Sequence, residues 1–264
     1  MKRIREYARV NVGVVSGRNA FFCLTDKSVE AERLGRWAKP LVARSAHLSG
    51  LVFDEEKLEK NRRAGFVSSL LALPADLDIE SDPDVAVYLQ KGELAGVHTG
   101  YKTRIRNKWW SVPSIAVPDG FMLRQISSIV RLFANHTNAT STDTIHRVFL
   151  HGDVITIDQL SVAALNSITI GFAEVYGRSY GGGILEIEPS EAVSLPIPDP
   201  KLVTRHLVEQ VSSLLDGNEV EKAIDLVDAS VLVEKLSFTH DQIKIFRDIR
   251  SILSSRRKER STKS

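Results

Sequence analysis

The hydrophobic pattern of this chain changes period once, and the change falls across three prolines, Pro196, Pro198 and Pro200. Proline lacks a backbone N–H and fixes φ, so neither a strand ladder nor a helix runs through such a cluster. Before it, apolar residues come in short runs separated by turn formers, the pattern of strands in a mixed α/β body. After it, Leu202, Val203, His206, Leu207, Val211, Leu214 and Leu215 repeat at helical spacing and stop at Gly217-Asn218. A second helix is expected from about 220 to 232. A third is opened by Thr239 and Gln242 at the spacing of a capping box, with Ile243, Phe246, Ile249 and Leu253 on its inner face. The closing run 256–264 is expected to be disordered past the last turn. The plan is an α/β body, mixed and β-rich, over 1–200, then a small α-helical tail over 201–264. The 264 residues suffice for one large domain or two modest ones.

Within the body, Val10 to Leu24 reads as two short strands around the bend Ser16-Gly17-Arg18-Asn19, where Gly17 and Asn19 are types that tolerate positive φ. An amphipathic piece over 30–44 is expected to end near Pro40. Short strands are expected at 50–53 and 70–77, with the acidic 54–59 run as a loop or helix start. The 83–91 segment fits helix or strand, and periodicity does not decide between them. Further strands are expected around Trp109–Pro113, Phe121–Leu123, Ile129–Phe133, Arg147–His151, Val154–Ile157 and Ile184–Glu188. The 160–176 stretch has helical spacing.

Composition removes several classes. A single cysteine, Cys23, rules out a disulfide framework and fits an intracellular, cytoplasmic location. The charged start has no apolar h-region behind it, and the greasiest stretch, 160–175, is interrupted by Asn166, Ser167 and Thr169. A membrane span needs about twenty mostly apolar residues, so no membrane association is expected. The net charge of +2 announces nothing. Its distribution says more: 1–50 and 101–150 are basic, whereas 51–100 and 151–200 are acidic. Such a split paints a positive face that phosphate can sense, or is simply solvated surface of both signs.

No catalytic constellation emerges. Gly181-Gly182-Gly183, the one glycine cluster, precedes a strand, whereas a nucleotide-binding turn follows one. Cys23 between Phe22 and Leu24 suits a core better than a nucleophile's site. His146 and His151 lack metal-ligand spacing. Glu55-Glu56-Lys57 is too short a match for a nuclease site, and Glu186 and Glu188 suit a solvated strand edge. The segment Tyr101–Trp110 differs. Lys102, Arg104 and Arg106 are two apart and on a strand would share one side, and arginine forks match phosphate oxygens and guanine edges. The plainer reading is a strand with a basic solvent face and a core tryptophan. Asn135-His-Thr-Asn138 likewise holds amides that read bases or form an Asx turn.

Taken in order, these pieces resemble a known arrangement. Gly13-Val-Val-Ser-Gly-Arg-Asn-Ala-Phe-Phe22 is similar to the "G-x-x-T-G-x-N-x-F-F" opening of the target-recognition domain, the C-terminal specificity part, of TaqI-type adenine-N6 DNA methyltransferases of restriction-modification systems. Tyr101 to Pro113 resembles that domain's "Y-x-x-R-x-R-x-x-W-Y-x-V-P" segment. The likeness continues through Asn135 to His146, Leu165-Asn166-Ser167, and Glu174 to Ser190, on through Leu195-Pro196, and the tail with its closing Arg-Arg resembles the end of such enzymes. Ser16 stands where threonine is usual, and Trp110 where tyrosine is. The resemblance implies that this part grips duplex DNA and selects the sequence. It implies too that a catalytic domain binds S-adenosylmethionine and holds the flipped adenine in an Asn/Asp-Pro-Pro-aromatic loop. The sequence contains no Pro-Pro pair. No catalytic residue, metal or cofactor is therefore expected on this chain, and S-adenosylmethionine is expected on a catalytic domain or subunit that partners it.

The expected DNA contacts are Lys102, Arg104, Arg106 and Arg18, with Asn19, Trp109, Asn135, Asn138, Arg178 and Tyr180 positioning or reading. The apolar tail face of Leu202, Leu207, Val211, Leu214 and Leu215 is a candidate docking surface for the catalytic partner; otherwise it packs on Ile224, Val227, Ile243 and Phe246. Two rival classes stand beside this reading: a protein-interaction module or remnant without DNA binding, and a DNA-acting enzyme with an unrecognised site.

Overall fold

Strand Ile145–Leu150 is the spine of the body. In the computed structural model, which describes residues 1–261, it pairs antiparallel with Ala8–Asn11 on one side and Gly120–Leu123 on the other. Leu132–Asn135 and then Val52–Phe53 complete a five-stranded sheet. A second sheet runs in the order Thr140–Ser141, Ala38–Val42, Val67–Leu71, Cys23–Thr25. The chain crosses between the sheets at 140–145. There Val14 bridges Thr142 and its N–H donates to the Ser141 carbonyl at 2.7 Å. Phe53, Phe121, Phe133 and Ile145 fill the space near the crossing, each large side chain contributing on the order of 1.5–3 kcal/mol by burial.

The expected fold class, mixed α/β followed by a helical tail, is what the chain adopts. Several local expectations are corrected. Only Cys23–Thr25 of the second half of the Val10–Leu24 segment is strand: Asn19–Phe22 forms a helical turn, and of the bend residues Gly17 has positive φ while Asn19 does not. Pro40 ends no helix; it lies inside strand Ala38–Val42, after a helix at Asp26–Ala31. Asp82 caps a helix Pro83–Leu94, resolving that ambiguity, and Val154–Ile157 is not a strand. The 160–176 stretch is two helices, Ile157–Ala163 and Ser167–Tyr176. Buried Asn166 divides them, its Oδ1 accepting the Thr169 N–H at 2.9 Å and its Nδ2 donating to the Ala163 carbonyl at 2.6 Å. The apolar period runs on unbroken through this cap, which is why spacing alone hides the break.

The tail helices Arg205–Asp216 and Val220–Val227 share the body's core. Leu207, Val211, Leu215, Ile224 and Val227 are buried in one apolar cluster with Leu51, Leu160 and Leu195. The expected docking face is thus filled mostly from within. Ile243 and Phe246, on the last helix His240–Ser261, pack on Ile168 and Phe172 instead. The expectation of disorder in 256–264 is met by helix as far as Ser261, and 262–264 lie outside the described residues. No described helix is long and apolar enough to cross a membrane.

His146, fully buried in the spine strand, makes the fold sensitive to acid. Its Nε2 lies 2.7 Å from the Ile187 carbonyl, and its Nδ1 has no partner. The neutral ring therefore donates through Nε2, and burial lowers its pKa from 6.5; His47 is shifted the same way, again by burial. The unfolded chain takes up protons that the folded one refuses. Stability is thus full above pH 6.5 and falls as pH drops below it, by up to about 1.4 kcal/mol per pH unit for each such histidine. Urea midpoints should fall between pH 7 and pH 5.5, and less so in His47→Gln. A flat profile over that range would contradict this account.

Candidate nucleic-acid interface

Gly17, at φ +81°, lets the turn after Val15 lie directly on the segment that begins at Tyr101. A Cβ at Gly17 would stand 2.9 Å from Lys102 Cβ and 3.2 Å from Thr103 Cγ2. Ser16 stabilises the turn from inside: its hydroxyl donates to Asn19 Oδ1 at 2.5 Å and accepts the Arg18 N–H at 3.2 Å. Tyr101–Arg104 is a helical turn, not the expected strand, so Lys102, Arg104 and Arg106 do not share one side. Gly96, left-handed, and buried Thr103 set this turn. The Thr103 hydroxyl lies 2.5 Å from the Val97 carbonyl and 2.9 Å from that of Gly100, a local side-chain-to-backbone closure that competes with strand pairing.

Arg106 parts company with its neighbours. Its guanidinium turns inward and donates to the carbonyls of Val15 and Ser16, each at 2.9 Å, and to that of Trp109 at 3.5 Å. Burial lowers its pKa from the usual arginine value without neutralising it. It bolts the two segments together. Lys102 and Arg104 remain outside, over the exposed ring of Tyr101 at 5.5 and 5.7 Å, and Lys108 lies 5.3 Å from the Trp110 ring. Arg18 is exposed on the facing turn. Among the described residues none of these four cations pairs with a carboxylate. Two tail cations differ: Arg247 and Arg250 are neutralised by Asp225, Asp228 and Glu221.

Beneath the cations lies an aromatic bed. Trp109 packs on Phe21, Phe22 and Trp110, and its Nε1 donates to Glu93 at 3.3 Å. Tyr88 stacks on Phe21 and donates to its carbonyl at 2.7 Å; burial pushes that phenol up to about 12. Trp109 is thus half core, as the plainer reading had it. The structure brings Arg18, Asn19, Lys102, Arg104, Arg106 and Trp109 together on one lobe.

The remaining residues stand elsewhere. Asn135 is buried and fully engaged: its Nδ2 donates to the carbonyls of Pro118 and Ala139, and its Oδ1 accepts from the N–H and hydroxyl of Thr137. That is the Asx-turn alternative, and it positions exposed Asn138. Arg178 and Tyr180 are exposed on a small strand, Arg178–Tyr180, and Arg178 pairs with Glu191 at 2.8 Å. Sequence reading missed Tyr101 and Lys108, although both lie inside the segment it singled out. It also missed Arg124, which donates to both Glu186 and Glu188 at 2.9 and 2.8 Å, so that pair is not a free solvated edge.

Burial pushes the Cys23 thiol up to about 12, far from a nucleophile's range. No group of three or more metal-ligating side chains converges among the described residues. In the glycine cluster a Cβ at Gly183 would be 3.3 Å from Lys258 Cα, so protein backbone closes that side.

The family described as Type II methyltransferase M.Eco57I, C-terminal domain, matches residues 1–232. Type II methyltransferase M.AccI of Acinetobacter calcoaceticus is 22% identical over 246 residues, 88% of this chain and 44% of that protein. Two solved structures share the fold over 98% of this chain. The type IIG restriction endonuclease BpuSI has a TM-score of 0.59 at 13% identity, with 32% of its chain covered. The Type IIL restriction-modification enzyme MmeI, solved in complex with DNA, has a TM-score of 0.63 at 11% identity, with 37% covered. The chain spans less than half the length of each of these three.

Proposed function

This chain belongs to the C-terminal domain family of Type II methyltransferases represented by M.Eco57I, and from that we propose that it selects the DNA sequence for an adenine-N6 methyltransferase. The observation that carries the reading is the group of cations without a carboxylate partner among the described residues: Lys102, Arg104 and Lys108 over aromatic rings, and exposed Arg18 on the facing turn, the two segments being bolted by Arg106. Cations left without internal counter-charges are free to release counterions from a phosphate backbone. The flat faces beside them suit arginine forks to phosphate or guanine. MmeI, a fold neighbour, is known in complex with DNA, which supports the same use here. In this reading Arg106 and Asn135 position, while Lys102, Arg104 and Arg18 touch. Residues 1–200 form the recognition unit, and the tail that begins at 201 supports it. Adenine chemistry and S-adenosylmethionine belong to a catalytic domain or subunit working beside it in the cytoplasm.

The test is anisotropy on a duplex selected by the wild-type chain from a randomised pool, at two salt concentrations. Lys102→Ala and Arg104→Ala should each weaken binding. Removing a cation that binds phosphate lowers the salt slope by about 1, and removing one that binds guanine relaxes specificity at about 1–3 kcal/mol. Wild-type affinity in both variants would favour an interaction module whose basic face never meets DNA.

A further inference from the structure

We propose that Arg257, near the end of helix His240–Ser261, is a positioning residue that holds the Arg178–Tyr180 hairpin at the angle it presents to DNA. The proposal rests on the DNA-recognition reading above and adds a determinant of specificity on another element.

The hairpin pairs Arg178–Tyr180 with Ile184–Glu186 across Gly181-Gly182-Gly183. Gly182 and Gly183 have successive φ values of +73° and +70°, which residues with a Cβ rarely adopt. A Cβ at Gly181 or Gly182 would meet nothing within 4 Å, so the tip projects freely, whereas Gly183 sits against the last helix. Arg257 reaches that contact point. Its guanidinium donates to the Gly183 carbonyl and, at 2.7 and 3.4 Å, to the two carboxylate oxygens of Glu174 on helix Ser167–Tyr176. Both side chains of the pair are almost wholly buried, 3% and 4% exposed. One side chain thereby ties the last helix, helix Ser167–Tyr176 and the loop of the hairpin.

Stability alone does not call for this pair. Removing two charges from water costs several kcal/mol, and apolar residues of similar volume commonly do as well or better. What the guanidinium adds is direction: its planar fork fixes a carbonyl and a carboxylate in one geometry, as an apolar contact cannot. Beside it lies a cleft of about 190 Å³ lined by Gly177, Ser179, Leu185, Leu253 and Arg256. Ile184–Glu186 is held on its other side by Gln125–Ile126, so release at Gly183 frees the loop and the outer strand Arg178–Tyr180, whose Ser179 lines that cleft.

Arg257→Met, made together with Glu174→Gln so that no buried carboxylate is left without its partner, keeps the volume and removes the fork. It should remain folded by circular dichroism, exchange the amide hydrogens of 181–184 faster, and lose about tenfold, the scale of one base contact, in the ratio of affinity for the selected duplex to affinity for a random one. Gly183→Ala disturbs the same contact from the loop side and should lower the ratio similarly; it decides the matter if the double variant fails to fold. Arg257→Lys should recover part of the ratio. The proposal is overturned if the folded variants keep both the ratio and the amide protection while Arg178→Ala or Tyr180→Ala lowers the ratio. It is equally overturned if neither Arg178→Ala nor Tyr180→Ala changes the ratio. If the wild-type chain itself shows no preference among duplexes, the recognition reading fails, and this role for Arg257 fails with it whatever the exchange rates show.

Discussion

Gly13→Ala is expected to destabilise the fold by at least about 3 kcal/mol, the upper range for overpacking a filled core. A Cβ there would lie 1.9 Å from the Thr142 carbonyl oxygen and 2.6 Å from that of Ile145. Both obstacles are backbone, so no rotamer change relieves them. Nor can that backbone withdraw cheaply. The Thr142 N–H donates to the Val42 carbonyl at 3.2 Å, and the Ile145 N–H to the Thr142 carbonyl at 3.0 Å, at the point where the two sheets join. Gly35→Ala is the control: nothing lies within 4 Å of a Cβ there, and its φ is not positive. It should stay within about 0.5 kcal/mol of wild type. Equal urea midpoints for the two variants would show that the junction yields more easily than its hydrogen bonds imply.

Asp228→Ala should cost about 3 kcal/mol by loosening the tail from the body. The carboxylate is 3% exposed. It accepts the Ser167 N–H at 2.9 Å, the Ser167 hydroxyl at 2.6 Å and Arg247 at 2.6 Å. Ser167 opens helix Ser167–Tyr176, so its N–H has no partner within the helix and would be stranded in a buried place. Arg247 would not be stranded, because Asp225 also holds it at 2.6 Å and it is 44% exposed. That keeps the expected loss at the lower end for a broken buried pair. Asp228→Asn, which preserves an acceptor for the N–H, should lose less. Indistinguishable midpoints for Ala and wild type would show that water replaces the carboxylate at no cost.

The motifs were legible because each is a local chemical requirement. Ser16 and Gly17 make a turn that only such residues make cheaply, and Thr239 with Gln242 forms the capping box its spacing implied, the two backbone N–H bonds being 2.9 and 3.2 Å. The secondary structure of 101–113 was not legible. Alternating charges suit a strand's two faces, but buried Thr103, bonded to the Val97 and Gly100 carbonyls, closes a helical turn first. Cation type also says nothing about direction. Arg104 and Arg106 differ by two positions, yet one stands over an exposed ring and the other binds three backbone carbonyls.

What the sequence determined by itself is the order of events along the chain: a β-rich body, a proline break, an amphipathic tail, and a basic aromatic segment that follows an acidic stretch. Each follows from periodicity, capping and composition, which act over a few residues. What only the tertiary structure decided is which charges remain available. Arg106, Arg124, Arg247 and Arg257 find carbonyls or carboxylates far away in sequence, whereas Arg18, Lys102, Arg104 and Lys108 find none among the described residues. The reason is physical: a guanidinium meets its partner across space, and only the packing of two sheets and a tail determines which carboxylates come within its reach.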